Sequence, residues 1–313
     1  MTRLERMILE LPPFRVISKW ASRTVLPGFA GLSLREVSRF FFKEIKNVKL
    51  NERCAASTYN FMMAIPPSLL FLFSLLPYLP LKGVETTIKQ TLDVVPLSRE
   101  LRHSINSFID NFIHKERRDI LSFGVLLVLF FSSNGMMGLM RSFDKSMHVY
   151  KVRSGFQRRW TAIKLTVMLI TVAILSIATF IIQSQFINKY IEMIFDNVYV
   201  LKIISMLLIV FILFCAISII YRYGPSLTNK FEFVSAGSVF ATIAIGIATT
   251  VFFFLVDNFL NYNKVYGSIG TLIAFMIWLY LIIMIILIGY ELNVSILIGS
   301  KTKQEKELKT KTL

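Results

Sequence analysis

The chain has 313 residues, of which 55% are hydrophobic, with a mean hydropathy of +0.62 and a formal net charge of +16. Soluble domains average about 45–50% apolar residues, so this composition excludes an ordinary water-soluble globular fold. Two cysteines, Cys54 and Cys215, make no disulfide framework and are read as buried reduced thiols.

The first 20 residues lack an unbroken apolar core and carry Arg3, Glu5, Arg6, Glu10, Arg15 and Lys19, so no cleavable signal peptide is expected. The first span, from about Ser57, then serves as the uncleaved insertion signal. Residues 33–48, SLREVSRFFFKEIKNV, set Leu34, Val37, Phe41, Ile45 and Val48 on one helical face. Arg35, Arg39, Lys43 and Lys46 fall mostly on the other. Such a helix lies on the inner membrane surface or packs beneath the bundle.

Six intervals without charge follow: Cys54–Leu81, Ile120–Met140, Leu165–Asn188, Ile203–Tyr221, Phe233–Val256 and Val265–Tyr290. The shortest has 19 residues, and about 20 apolar residues of helix cross a hydrocarbon core. Barrel strands would be about 10 residues long and alternate in polarity, which these do not. The prediction is an all-α polytopic membrane protein with six transmembrane helices. Residues 1–53 form a cytoplasmic N-terminal segment with the amphipathic helix, 54–300 the transmembrane domain, and 301–313 a cytoplasmic basic tail.

Within the first interval Pro66 and Pro67 remove backbone donors, so a kink or break is expected there. Broken helices occur at transporter binding sites as well as at purely structural kinks. The outer loop, 82–119, repeats Val84, Ile88, Leu92 and Val95 at helical spacing until Pro96. Ser98 caps a second predicted helix bearing Leu101, Ile105, Phe108 and Phe112. Gly124, Gly135 and Gly138 in the second interval, and Gly237, Ala241, Ala244 and Ala248 in the fifth, are spaced for close helix packing in lipid.

Cations set the orientation. With the N-terminus inside, 24 of the 35 Lys and Arg fall in cytoplasmic segments and 9 in outer ones. That is the positive-inside bias. The surplus also suits anionic headgroups on the cytoplasmic side as partners, and it is not the footprint of a nucleic-acid binder.

Chemistry is sparse. His103 and His114 lie on the outer loop and His148 on the inner one, so they do not converge. No metal-spaced Cys or His set, Walker lysine or carboxylate pair for acid–base work occurs. No enzymatic activity, catalytic residue, cofactor or metal is expected.

Three stretches, SSNGMMGLMRSFDKSMHVYKVRSGFQRRW (132–160), YRYGPS (221–226) and VYGSIG…WLYLIIMIILIGYELN (265–293), resemble the YihY/virulence factor BrkB family of bacterial inner-membrane proteins. Tyr290 stands where that family usually has alanine. The resemblance implies six helices, cytoplasmic termini and an inner-membrane location. Members were once labelled ribonuclease BN, and export of lipids or their precursors and envelope integrity have been proposed for them.

Spans two, four and six end on the inner side at Arg141, Arg222 and Glu291. Lys301 marks the expected boundary about 15 Å of helix beyond Glu291, which submerges that carboxylate in the inner leaflet. An inner polar cluster of Glu291, Asn293, Arg222 and Arg141 is expected, as a structural staple, a station on a transport path or a headgroup site. Asp257, Asn258, Lys202 and Lys264 form a weaker outer cluster. Two functions fit: a translocase-like transporter of a lipid or lipid-linked amphiphile, or a scaffold docking envelope-biogenesis proteins through the outer loop. Reporter fusions at residue 100 and at the C-terminus are expected to sit on opposite sides of the membrane; the same side for both would refute the topology.

Overall fold

The computed structural model describes residues 20–47, 49–75, 107, 118–144, 153–182, 198–258 and 268–311. Its long helices, in chain order, are α1 (Leu34–Asn47), α2 (Leu50–Leu75), α3 (Arg118–Phe143), α4 (Gly155–Ile182), α5 (Val198–Tyr223), α6 (Ala236–Asn258) and α7 (Ser268–Lys311). Among the described residues, four stretches are long and apolar enough to cross a membrane: Gly155–Ser176, Met206–Tyr223, Ala236–Val256 and Leu272–Thr310. The protein is an all-α, multi-pass membrane protein.

Two expectations need correction. Helix α2 is continuous through Pro66 and Pro67, so neither residue ends it. A proline loses only its own donor, and the surrounding ladder of a 26-residue helix carries that loss. The third span begins at Gly155 rather than near Leu165, because the cations of its first turns find partners within the protein, Arg158 on Asp144 and Arg159 on Asn134. The basic tail from Lys301 continues α7 as helix to Lys311. The outer loop 82–119 lies outside the described residues apart from Ser107 and its last two positions.

Helices α2 to α7 pack in sequence order and α7 closes back on α2, making a ring, with α3 and α7 touching lightly across it. Small residues set the tightest contacts. A Cβ on Gly138 would come within 2.6 Å of Asn60 Nδ2, and one on Gly135 within 3.0 Å of Phe61. At the α6–α7 crossing, Gly237 faces the Gly289 carbonyl, and a Cβ on Gly289 would meet the Tyr221 hydroxyl at 2.6 Å. This seam is what small residues provide in lipid, where helices have no hydrophobic force to drive them together.

Helix α1 packs on α7. Phe29, Leu32 and Val37 form a buried cluster with Ile296, flanked by Leu34, Leu292 and Ala236. Gly31, at φ 75°, turns its carbonyl to accept a hydrogen bond from Lys303 Nζ at 3.0 Å. Ser33 starts α1 with a capping box, its N–H and hydroxyl each donating to Glu36 Oε2 at 2.9 Å, which holds that carboxyl below its usual pKa.

The core is one-sided. Side chains are buried over 133–143 of α3, 162–166 of α4, 217–221 of α5, 237–245 of α6 and 283–296 of α7. Beyond these, no described residue is buried in 167–176, 203–216, 246–256 or 272–282. One end of the ring, here the basal end, is tightly closed; the other encloses no tight core among the described residues.

The seam makes a measurable difference between two glycines of α6 and α7. Gly289→Ala is expected to destabilise the protein by about 1–3 kcal/mol through overpacking, read as a lower thermal midpoint in detergent. Gly246→Ala puts a methyl group where no atom lies within 4 Å, and is expected to leave that midpoint level or raise it slightly.

Candidate functional site

The basal end carries most of the polar chemistry, built where helix termini meet. A helix leaves its last carbonyls and first amides without helical partners, and in lipid these need partners from the protein. Arg53 of α2 donates from Nη1 to the Ser142 carbonyl in the last turn of α3 at 2.9 Å, and the Ser57 and Ser142 hydroxyls lie 3.0 Å apart. Arg153, just before α4, forks onto the turn after α5, with Nη1 donating to the Gly224 carbonyl at 2.8 Å and Nη2 to that of Pro225 at 3.0 Å. Burial draws its pKa below the usual guanidinium value. Asp144 accepts from the Ser226 hydroxyl at 2.7 Å and pairs with Arg158 Nη2 at 3.3 Å.

Aromatic side chains fill the space inside this collar. The Tyr290 ring lies 4.3 Å from that of Phe143, 6.0 Å from Phe231 and 6.3 Å from Tyr221. Tyr290 is fully buried and occupies the centre of the plug. Tyr221 also crosses the ring, its hydroxyl donating to the Ile286 carbonyl at 2.6 Å.

The four residues of the expected inner cluster have separate places. Asn293 holds the start of α6: its Oδ1 accepts from the Gly237 N–H at 2.7 Å, and its Nδ2 donates to Ser235 Oγ at 2.9 Å. Ser235 and Ser238 complete that cap, each backbone N–H donating to the other's hydroxyl. Glu291 is 2% exposed. Arg222 donates to the Phe231 carbonyl at 3.3 Å and stands 5.9 Å from the Tyr223 ring, while Arg141 is exposed. Tyr221 takes the inward position on α5, and one residue further round the helix turns Arg222 to the loop. The side chains of Asp257, Asn258, Lys202 and Lys264 lie outside the described residues.

Sequence reasoning missed Asp144, Arg153, Arg158 and Ser235. One signal was present: Asp144 is the sole acid between Asp119 and Glu192, amid a run of cations. Among the described residues, no three His, Cys, Asp or Glu side chains stand close enough to hold a metal ion.

The stretches welded together here, 132–160, 221–226 and the end of 265–293, lie within a match to the family described as Virulence factor BrkB, which spans residues 41–312. The chain belongs to the Virulence factor BrkB family. It is 29% identical over 249 residues to the ribonuclease-like protein YfkH of Bacillus subtilis (strain 168), covering 77% of this chain and 88% of that one. It is 22% identical over 268 residues to the UPF0761 membrane protein NTHI0384 of Haemophilus influenzae (strain 86-028NP), covering 83% and 95%. A UPF0761 membrane protein of Chromohalobacter salexigens is 23% identical over 244 residues, 76% of this chain and 57% of its own length. No solved structure matches.

The cap by Asn293 gives the family's ELN ending a physical role, and its size can be measured. Asn293→Ala is expected to cost about 0.5–2 kcal/mol of stability, the range for losing a helix cap. In a Ser235→Ala background the same change should cost less, because the two side chains share a hydrogen bond. Equal costs in both backgrounds, by thermal unfolding in detergent, would remove the coupling.

Proposed function

We propose that the protein is a translocase-like transporter for a lipid or lipid-linked amphiphile, acting in the bacterial inner membrane with six spans and cytoplasmic termini. The one-sided core carries this reading. A ring sealed at its basal end by an aromatic plug and a polar collar, with no tight core at the other end among the described residues, suits a substrate entering from one side. The cation partition supports a cytoplasmic sealed end, since Arg53, Arg153, Arg158 and Arg222 all lie there. Alternating access by such a ring requires the seal to open while the other end closes.

Reconstituted vesicles containing fluorescent phospholipid test the function directly. Flux that depends on the protein is expected, and it should fall when the plug is locked by paired cysteines at positions 143 and 290. Absence of flux under all gradients would leave a non-transporting scaffold as the surviving account.

We also infer that the protein is not a nuclease, although one relative is named ribonuclease-like. Purified protein is expected to leave structured and single-stranded RNA intact with or without divalent metal. Cleavage that disappears in a point variant of the same preparation would overturn this.

A further inference from the structure

Arg159 sits inside an apolar span, in the second turn of α4. Charge within a span is costly and usually marks function or a partner. Its Nη1 donates to Asn134 Oδ1 of α3 and lies 3.9 Å from Met137 Sδ, and its guanidinium is 4.3 Å from the centre of the Phe130 ring. No acid among the described residues pairs with it; the neighbouring Arg158 takes Asp144. Asn134 lies nine residues before Phe143, so the cation is held about 14 Å along α3 from the basal end.

Donors are left over at this point. Among the described residues, neither Nε nor Nη2 of Arg159, nor Nδ2 of Asn134, has a hydrogen-bond partner. Phe130, which backs the guanidinium, is 53% exposed. A planar cation with free, forked N–H groups matches a phosphate, and an exposed aromatic ring beside it matches an acyl chain. A purely structural arginine would be expected to carry an acidic partner or a fuller set of acceptors at this depth.

We propose that Arg159 and Asn134 form a binding station for the phosphate group of an anionic amphiphile lodged between α3 and α4. This deepens the lipid-handling function above and rests on it for its biological meaning, but the binding itself is measured at equilibrium. The full chain in neutral detergent is titrated by calorimetry with dihexanoyl phosphatidic acid, with dihexanoylglycerol, which lacks the phosphate, and with inorganic phosphate. Phosphatidic acid is expected to bind the parent, and Arg159→Gln to weaken that binding about tenfold or more, the scale of one charge-assisted contact. Arg159→Lys, which keeps charge but not the fork, should fall between, and Asn134→Ala should weaken binding in the same direction. Dihexanoylglycerol should bind parent and variants alike.

Inorganic phosphate that displaces phosphatidic acid would show that a free phosphate suffices; failure to displace would assign the source to a lipid headgroup. Both results keep the phosphate station. Equal affinity of the parent and Arg159→Gln for phosphatidic acid would overturn it. Should Arg159→Gln not fold, the lysine and Asn134 variants carry the comparison, and unchanged affinity in both has the same force. A protein that binds through Arg159 without moving lipid would sink the transport function and leave the station standing.

Discussion

Contact between α6 and α7 at Gly237 and Gly289 is the constraint on which the basal end depends. Only with two glycines facing each other does Asn293 come near enough to accept from the Gly237 amide, and Tyr221 near enough to reach the Ile286 carbonyl. A methyl group at either glycine would push the helices apart by more than a hydrogen bond tolerates. The aromatic plug, which needs Tyr221 and Tyr290 on the same level as Phe143, follows from that spacing. Lipid strengthens the dependence, since a backbone group parted from its partner there finds no water to replace it.

Around that contact several cations are held by backbone carbonyls or ring faces. Arg53 and Arg153 donate to carbonyls at helix ends, Arg222 to the Phe231 carbonyl in the loop before α6, and Lys230 stands 5.0 Å over Tyr223. Asp144 is the acid that the collar uses, binding the loop after α5 and the start of α4 at once. Positive side chains suit carboxyl-terminal carbonyls because the helix dipole is negative there. The same cations thus tie neighbouring helices together.

Helices were legible because spans must be apolar and long, and charge-free intervals report that requirement directly. Their ends were not, since a cation such as Arg159 can belong to a span if its side chain finds a partner on the next helix. The seams at Gly138 and Gly237 were readable from spacing, whereas the break at Pro66 was overread: helical context absorbs a missing donor without ending the helix. The inner cluster shows the deeper limit. Depth placed Glu291, Arg222 and Arg141 at similar levels, but depth says nothing of rotation about each helix axis, and rotation sends Arg222 towards Phe231. Partners such as Ser235 for Asn293 are 58 residues apart and become visible only once the helices have packed.

Helix α7 is 44 residues long, about 66 Å of unbroken rod. Its middle lines the plug through Ile286 and Tyr290, and its distal third carries α1 through Ile296 and the Lys303–Gly31 bond. A rod of that length behaves as a lever: one degree of tilt about one end displaces the other by roughly 1 Å. Whatever tilts α7 at the plug must therefore also carry α1 with it, so the N-terminal helix is mechanically geared to the interior of the ring.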